Sequence, residues 1–189
     1  IYPFKRKNAV GPEKWYEKIQ IRNAGNLQNN LRTKDNEVLN ADFMKDWNAA
    51  MQHKIPISAT FSVFNNINIT PSFNYTERWY KSKITQKWDA LQQRNVAADT
   101  TYGFYRSYDF NYNVSVQTMM YGFYEPMFKI GKIKTIRHVF TPSVTFGGNP
   151  DFSESKYGSY QTYSYIDASG VTREYTYSPF SGQLFTPPS

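Results

Sequence analysis

The sequence predicts an all-β protein, and more specifically a piece of the antiparallel wall of a transmembrane outer-membrane β-barrel. Three features predict this fold: runs in which apolar and small polar residues alternate, polar faces made of Ser, Thr and Asn, and alternating short turns and long loops. Strict alternation with a period of two indicates strands with one wet face. About five such strands fit in residues 1–189, which we therefore interpret as one partial barrel domain.

The alternation is clearest in residues 55–63, 67–75 and 108–116, where an Ile, Val, Phe or Tyr stands at nearly every second position. Weaker alternation occurs in residues 19–27 and 140–146. In an outer-membrane barrel the apolar positions of such strands face lipid. The predicted lipid-facing residues are Ile55, Ile57, Phe61, Val63, Ile67, Ile69, Phe73, Tyr75, Tyr108, Phe110, Tyr112, Val114 and Val116.

The intervening positions carry small uncharged polar residues rather than the Lys and Glu that are usual on exposed faces of soluble sheets. This composition suits a wet but enclosed lumen, because barrel strands alternate lipid-facing and lumen-facing residues. The predicted lumen-facing residues are Ser58, Thr60, Ser62, Asn68, Thr70, Ser72, Asn74, Arg78, Asn111 and Asn113.

Strand length also fits a membrane wall. Residues 67–75 extend over roughly 30 Å at about 3.3 Å per residue. When tilted by about 40–45°, they cover a little over 20 Å, close to the roughly 25 Å apolar band of such barrels. Glu77 then falls beyond the band, and Trp79 and Tyr108 stand where an aromatic girdle is expected.

The connections alternate in length. Residues 64–67 (Phe-Asn-Asn-Ile) predict a tight hairpin, because Asn tolerates the positive φ of two-residue turns, and residues 121–134 predict a medium-length connection. Long polar segments occupy 32–50, 82–101 and 147–189. Short periplasmic turns and long extracellular loops are typical of outer-membrane barrels.

Three prolines conflict with this prediction. Pro56, Pro71 and Pro142 lie inside proposed strands. Proline donates no backbone hydrogen bond and is tolerated mainly at edges and bulges, whereas a closed barrel has no edges. The sequence predicts either bulges or weak pairing at these positions and does not distinguish the two.

Composition narrows the function classes. Cysteine is absent and the net charge is +7. The basic clusters at residues 5–14 and 129–134 lie in predicted connections without interleaved aromatics, which favours solvated turns or a contact with anionic headgroups over nucleic acid. No stretch of roughly 18 apolar residues indicates a membrane helix. The start of the chain, IYPFKRKNAV, is interpreted as internal to a longer or processed protein.

Candidate catalytic and metal sites are weak. His138 and Ser143 are five residues apart, which along one strand is about 16 Å and too far for a hydrogen bond. Asp151, Glu154 and Asp167 form a loose acidic set whose spacing matches no EF-hand loop, so a solvated loop is favoured over a calcium site. We predict neither enzymatic activity nor a cofactor or metal.

Four segments resemble a known family. YPFKRKNAVGPEKWYEKI, MQHKIPISATF, INITPSFNYTERWY and IRHVFTPSVTFGGNPDF together resemble the lipopolysaccharide-assembly outer-membrane protein family, LptD, also called organic-solvent-tolerance protein. The resemblance is densest in residues 51–80 and 136–152, and RHVFTPSVTF is its most specific piece.

The resemblance implies a function and partners. Members form a large barrel that is plugged by a lipoprotein of the LptE type and supplied by periplasmic bridge proteins of the same transport system. They insert lipopolysaccharide into the outer leaflet of the bacterial outer membrane without covalent chemistry. Under this interpretation the partners are lipopolysaccharide, those proteins and outer-membrane lipid. Arg22 and Arg78 would meet lipid phosphates. Neither the jellyroll domain nor the closing strand of the family is recognised in the sequence, so its gate residues cannot be assigned.

Two other function classes remain open on the residues alone. One is a different outer-membrane barrel, such as a porin or a TonB-linked importer. The other is a soluble carbohydrate-binding β-sandwich, in which a second sheet would cover the apolar face. The sequence does not give the total strand number, the headgroup chemistry or the partner contact surface.

Overall fold

The computed structural model describes residues 1–8, 10–31, 47–64, 66–125 and 135–188. Within them the secondary structure is all-β with antiparallel pairing, as predicted, apart from 3₁₀ turns at Trp15–Lys18 and Ser155–Tyr157. The strands are β1 (Gln20–Ile21), β2 (Ala24–Leu31), β3 (Trp47–Ser58), β4 (Phe61–Val63), β5 (Ile67–Asp89), β6 (Arg94–Thr118), β7 (Met120–Tyr124), β8 (Ile136–Phe140), β9 (Ser143–Gly148), β10 (Gln161–Ile166) and β11 (Thr172–Tyr177).

The largest sheet has the order β1-β3-β5-β6-β9, with β2 also paired to β3 and β4 to β5; β7–β8 and β10–β11 form separate two-stranded sheets. The described strands do not close into a barrel. None of the described residues belongs to a helix long and apolar enough to cross a membrane. Two compact units are present: unit 1 comprises Ile1–Arg22, Pro56–Asn74 and Asn111–Asn149, and unit 2 comprises Asn23–Ile55, Tyr75–Phe110 and Pro150–Ser189.

The predicted long loop at residues 82–101 is wrong. These residues extend β5 and β6 as far as a short turn, in which the Asp89 carboxylate accepts bonds from the backbone N–H groups of Leu91 and Gln92. Gln93 in this turn has a positive φ of 51°. Alternation reveals only strands with one apolar face, whereas this Lys-, Thr- and Gln-rich extension is held by backbone pairing, which sequence pattern does not report.

The other two long segments also contain strands. Residues 47–50 of the predicted loop 32–50 belong to β3, while residues 32–46 lie outside the described part of the chain. The segment 147–189 includes the end of β9 and the β10–β11 hairpin, whose register runs from Gln161↔Tyr177 to Ile166↔Thr172. Tyr alternates with Ser or Thr in residues 162–165 and 175–177, but this alternation is short and lies in a polar segment, so the sequence analysis did not recognise it as a hairpin.

The short hairpin is confirmed, although its geometry differs from the prediction. Val63 pairs with Ile67, which leaves residues 64–66 as the connection. Phe64 itself adopts a positive φ of 50°, and Asn65 lies outside the described residues. The connection predicted at residues 121–134 was wrong for residues 121–124, which belong to β7 and pair with β8 from Met120↔Phe140 to Tyr124↔Ile136. Residues 126–134 lie outside the described part of the chain.

Each of the three prolines that conflicted with the predicted strands lies opposite a break in the neighbouring strand. The carbonyls of Pro56, Pro71 and Pro142 accept bonds from the backbone N–H groups of Arg22, Ala59 and Thr118 at 3.1, 3.2 and 3.2 Å. In an antiparallel ladder every second facing pair exchanges two such bonds, and a proline in one of these pairs cannot donate the return bond. β1 ends before Arg22, β3 ends before Ala59, and β6 ends at Thr118. Pairing therefore continues through a single bond, without the loss of register that a bulge produces.

Pro142→Val is expected to supply the missing donor. The new backbone N–H faces the carbonyl of Thr118, and a hydrogen bond of this kind contributes about 0.5–1.5 kcal/mol. Hydrogen exchange should show the new amide at position 142 protected. Thr141→Val, which places a Val side chain next to this position without adding an amide, should leave the amide pattern at position 142 unchanged. Free exchange of the new amide would show that the interruption has another cause.

The two units differ in how they bury apolar side chains. In unit 2, Tyr80, Phe180 and Phe185 are 2%, 4% and 8% exposed and pack together with Ala50. Among the described residues of unit 1, Ala59 is the only buried hydrophobic residue. Unit 1 is thus a sheet without a conventional core.

Candidate functional site

Side chains of the predicted lumen face pair with one another across the strands of unit 1. We call this set of pairs the polar ladder. It comprises Ser62 Oγ donating to Asn68 Oδ1 (2.8 Å), Thr60 Oγ1 against Thr70 Oγ1 (3.5 Å), Ser72 Oγ donating to Asn113 Oδ1 (2.8 Å), Asn74 Nδ2 donating to Asn111 Oδ1 (2.8 Å) and Thr145 Oγ1 donating to Ser115 Oγ (3.2 Å).

The polar ladder is wet and uncharged. Thr60, Ser62, Asn68 and Asn111 are exposed, and the other rungs are at least partly accessible. Each hydroxyl or amide in these pairs keeps unused donor or acceptor capacity, because an Asn side chain alone offers two donors and two acceptor sites. The face can therefore hydrogen-bond water or sugar hydroxyls without holding a charged group tightly.

Arg78, also predicted to face the lumen, lies in unit 2 and forms an ion pair there. Its Nη1 binds Asp109 Oδ2, and the two side chains are only 13% and 20% exposed. Arg78 Nε is buried and has no hydrogen-bond partner in the described part of the chain. The pair neutralises the charge that sequence reasoning assigned to a lipid phosphate. That reasoning missed the role of Asp109, because register was needed to bring the two side chains together.

Ser58 and Thr60 also line a polar cavity of about 350 Å³ in unit 1. The N-terminal segment forms the rest of its wall, including Lys5, Lys18 and Gln20. Arg22, the other predicted phosphate contact, donates from Nη2 to Gln20 Oε1 at 3.3 Å and is exposed.

A buried carboxylate organises this N-terminal segment. Glu17 is 2% exposed and accepts a hydrogen bond from Arg6 Nε at 2.6 Å, a second from Arg6 Nη2 at 3.0 Å, and one from the backbone N–H of Lys14 at 2.7 Å. The Arg6 guanidinium, followed by the Lys14 backbone N–H, lowers the pKa of the Glu17 carboxyl to about 2. Bonds to the charged form favour ionisation and outweigh the effect of burial.

Lowering the pH is expected to break the contacts of Glu17 with Arg6 and Lys14 and so to loosen the N-terminal segment. Since the pKa of Glu17 is lower in the folded state than its ordinary value, the stabilisation is complete above about pH 4.5 and is lost as the pH falls towards about 2. A 5-fluorotryptophan label at the adjacent Trp15, assigned by Trp15→Phe, should report this transition by ¹⁹F NMR. Glu17→Gln should remove the pH dependence in that window. An identical titration in Glu17→Gln would contradict the assignment.

The predicted lipid-facing side of unit 1 is only partly covered: of its nine predicted residues, three are exposed and six are half-buried. Phe73, Tyr112 and Val114 are 37%, 54% and 37% exposed, and Val144 and Phe146 of β9 are also exposed. Several of these side chains line an open, mostly apolar groove of about 410 Å³. A soluble sandwich would cover this face with a second sheet, whereas these five side chains remain exposed.

An aromatic cluster lies in unit 2, where the sequence predicted a girdle. Tyr75 Oη and Trp79 Nε1 each donate to the Glu77 carboxylate at 2.7 Å. The Tyr75 and Tyr108 rings stack at 6.1 Å between centroids. His53 and Phe104, which the sequence reasoning did not select, contact Trp79 at 4.5 and 5.5 Å. We call these six residues the girdle cluster. Rings with a polar edge suit a membrane–water interface.

The weaker candidates gain no support. His138 pairs with Gly122 across β7 and β8, and no bond to Ser143 is seen. Within the described residues no group of three or more potential metal ligands comes together. The three acidic residues considered for calcium have local partners instead: Asp151 with Ser153, Glu154 with Lys156, and Asp167 with Arg173.

Comparison with known proteins identifies the family of the chain. The family model of the LptD protein matches residues 1–189, the whole chain. The chain belongs to the LptD protein family. The resemblance seen in its sequence is therefore confirmed over its full length. No curated protein and no solved structure matches the chain.

Family membership gives the chain a broad role. The LptD family is a transport component associated with the bacterial outer membrane, and it is not known as an enzyme family. Membership indicates involvement in lipopolysaccharide transport. In this LptD-family chain, the polar ladder and the partly exposed apolar face are the features that bear on such a role.

Proposed function

We propose that the chain forms part of a transmembrane β-barrel in the outer membrane and that this barrel inserts lipopolysaccharide into the outer leaflet. One observation carries the proposal: a single sheet has an uncharged polar ladder on one face and a partly exposed apolar face on the other. Family membership supplies the transport context.

The exposed apolar residues of unit 1 support the proposal that this face of the sheet lies against the lipid bilayer. Val114, Val144 and Phe146 leave a large part of their surface uncovered. Exposing such surface to water costs about 25 cal/mol per Å², whereas acyl chains cover it without a second protein layer. The girdle cluster supports the same view, because Tyr and Trp concentrate at the interfaces that bound the apolar band of a barrel.

The polar face supports passage of a sugar headgroup. Burying unsatisfied polar groups costs several kcal/mol each, so the head of a glycolipid needs a wet path while its tails remain in lipid. Ser, Thr and Asn offer many exchangeable hydrogen bonds of similar strength, and the ladder has no fixed charge at which the lipid would stall. The proposed process is transport and needs no covalent step.

The proposed partners follow from the same role. They are lipopolysaccharide, a plug lipoprotein of the LptE type, the periplasmic bridge proteins of the transport system, and the surrounding outer-membrane lipid. In this arrangement the 64–66 turn is periplasmic, because short turns of outer-membrane barrels face the periplasm. The turn after Asp89 lies at the other end of β5 and is then extracellular.

Depletion of the full-length parent tests the function. Newly made lipopolysaccharide should disappear from the cell surface, measured by modification with an externally added enzyme, and should return on complementation. Complementation with Asn74→Leu combined with Asn111→Leu should restore it only partly, because one rung of the ladder is lost. Unchanged surface lipopolysaccharide after depletion would favour a porin or an importer instead.

A further inference from the structure

A two-stranded ribbon in unit 1 exposes apolar side chains on both of its sides. It consists of β7 and β8 with the flanking residues Met119 and Thr141, and we call it the ribbon. Eight of its apolar side chains are 45–69% exposed: Met119, Met120, Tyr121, Phe123, Tyr124, Ile136, Val139 and Phe140. A contiguous exposed apolar surface of this kind marks an interaction site.

The ribbon continues the main sheet in the same register. The β6–β9 ladder ends at Gln117↔Ser143, and the β7–β8 ladder begins at Met120↔Phe140. Two residues on each strand separate these pairs, so no residue is added or skipped between the two ladders. Because side chains alternate along a strand, each side of the ribbon continues one face of the sheet.

The side that continues the polar ladder, which we call the inner side, changes its character at the ribbon. Within the sheet this side carries Ser115 and Thr145, which are hydrogen-bonded to each other. On the ribbon it is mostly apolar, and its residues are Met119, Tyr121, Phe123, Arg137, Val139 and Thr141. Tyr121 Oη donates to Met119 Sδ at 2.6 Å, and the Arg137 guanidinium lies over the Tyr121 ring at 4.5 Å. These contacts join neighbours along the inner side.

The outer side of the ribbon continues the face of β6 that carries Val114 and Val116. It keeps the apolar character of that face, and its apolar residues are Met120, Tyr124, Ile136 and Phe140. Only the inner side therefore departs from the two-faced pattern of the sheet. Lipid around a barrel would cover the outer side and leave the inner side without a partner.

The ribbon extends beyond the neighbouring hairpin. The bond between Ser72 and Asn113 indicates the register of β5 against β6. In this register Thr118 is level with Ile67, the first residue of β5, so β7 continues past the 64–66 turn. That turn is periplasmic in the proposed barrel. The inner side of the ribbon then lies at the periplasmic mouth, directly next to the polar ladder.

The inner side carries one uncompensated positive charge. Arg137 is exposed and forms no ion pair with any described residue. Neither β7 nor β8 contains a carboxylate. Because the guanidinium of Arg binds phosphate through paired, charge-assisted hydrogen bonds, this surface suits an amphiphile that carries phosphate next to its apolar chains.

We propose that the inner side of the ribbon is a docking surface for the acyl chains of lipopolysaccharide as the lipid reaches the barrel from the periplasm. This inference rests on the proposed function, which brings the lipid to this end of the barrel. With the chains on Tyr121, Phe123 and Val139, the sugar head lies at the polar ladder while the chains stay shielded from water. An amphiphile is favoured over a protein partner, because the apolar surface borders the polar ladder within one continuous pair of strands.

The first test places a photo-crosslinker at adjacent residues of the ribbon, in the full-length protein in cells. Phe123→benzoylphenylalanine is expected to form an adduct with lipopolysaccharide. The yield should be at least several-fold higher than with Tyr124→benzoylphenylalanine on the outer side. An adduct with another protein, or with phospholipid alone, would overturn the proposal, and so would the absence of any adduct.

The second test removes apolar surface from one side at a time. Phe123→Ser combined with Val139→Ser should slow the appearance of new lipopolysaccharide at the cell surface at least several-fold, relative to the amount of folded protein in the outer membrane. Both side chains are exposed, so neither change empties a core. Tyr124→Ser combined with Ile136→Ser is the matched control on the outer side and should leave the rate unchanged. Equal rates in the two double variants would contradict a role for the inner side.

The role of Arg137 is tested with the purified full-length protein and its native partners. Phe123→benzoylphenylalanine should give at least several-fold less adduct with dephosphorylated lipopolysaccharide than with the intact lipid. Adding Arg137→Gln should abolish this difference, whereas Arg137→Lys should retain part of it. A difference that persists in Arg137→Gln would contradict the phosphate contact.

Depletion of the parent separates failure of this inference from failure of the proposed function. If depletion removes surface lipopolysaccharide, and Ser115→benzoylphenylalanine on the polar ladder forms an adduct while Phe123→benzoylphenylalanine does not, the transport function stands and the docking surface fails. If depletion leaves surface lipopolysaccharide unchanged, the transport function fails and the docking surface fails with it.

Discussion

Val114→Arg in the full-length protein is expected to prevent assembly of the barrel or to destabilise it by about 2–4 kcal/mol, the cost of Arg at the lipid face near the bilayer midplane. Val114 lies in β6 opposite Phe146 and is 37% exposed. In water a partly exposed Val tolerates Arg with little loss. The size of the effect therefore depends on whether this face meets lipid or water, and it can be measured as folded protein recovered in outer-membrane fractions.

The adjacent residue provides the matched control. Ser115 lies on the polar face and accepts a bond from Thr145 Oγ1. Ser115→Arg should lose that bond, about 0.5–1.5 kcal/mol, and still assemble. If both Arg variants assemble equally well, the apolar face does not meet lipid.

Asp109→Ala is expected to have the other large effect. It leaves the guanidinium of Arg78 largely buried without its partner, and removing one member of a buried ion pair costs up to about 3–5 kcal/mol. The residual exposure of 13% and 20% places the expected loss towards the lower end. Urea unfolding of the full-length protein in lipid vesicles, followed by tryptophan fluorescence, measures the change.

A double variant distinguishes the ion pair from simple loss of packing. Arg78→Leu combined with Asp109→Leu removes both charges and should be more stable than Asp109→Ala alone, because no uncompensated charge remains. If the double variant is less stable than Asp109→Ala, the stabilisation comes from the packing of these side chains rather than from their charges. If Asp109→Ala unfolds like the unchanged protein, water screens the pair.

Strand β4 and the alternating parts of β5 and β6, residues 67–75 and 108–116, were predictable from the sequence. In these parts alternation indicates strands with one apolar face. The side-chain pairs across the strands, such as Ser72–Asn113, were not predicted, because the alternation does not give the register between strands. The extension of β5 and β6 through residues 82–101 was not predictable in this way. Backbone pairing stabilises that region while neither face shows a clear apolar pattern.

The remaining features depend on contacts that sequence pattern does not encode. The prolines were recognised, but the breaks they cause lie in neighbouring strands, at Arg22, Ala59 and Thr118, which only the register identifies. Residues 178–185 show no periodicity, and the hydrogen bond from Tyr80 Oη to the Phe185 carbonyl joins residues 105 positions apart. Such contacts arise from tertiary packing, which overrides local propensity.

The most direct test of the central claim is the accessibility of neighbouring residues on two paired strands. Single cysteines would replace Phe61, Ser62, Ile69 and Thr70 in the full-length parent, since Phe61 faces Ile69 across β4 and β5. Intact outer membranes would be treated with a water-soluble thiol reagent and a lipid-phase one. We expect the water-soluble reagent to label positions 62 and 70 and the lipid-phase reagent to label 61 and 69. Protection of positions 61 and 69 from both reagents, or labelling of all four from water, would contradict a sheet that faces lipid on one side and a wet lumen on the other.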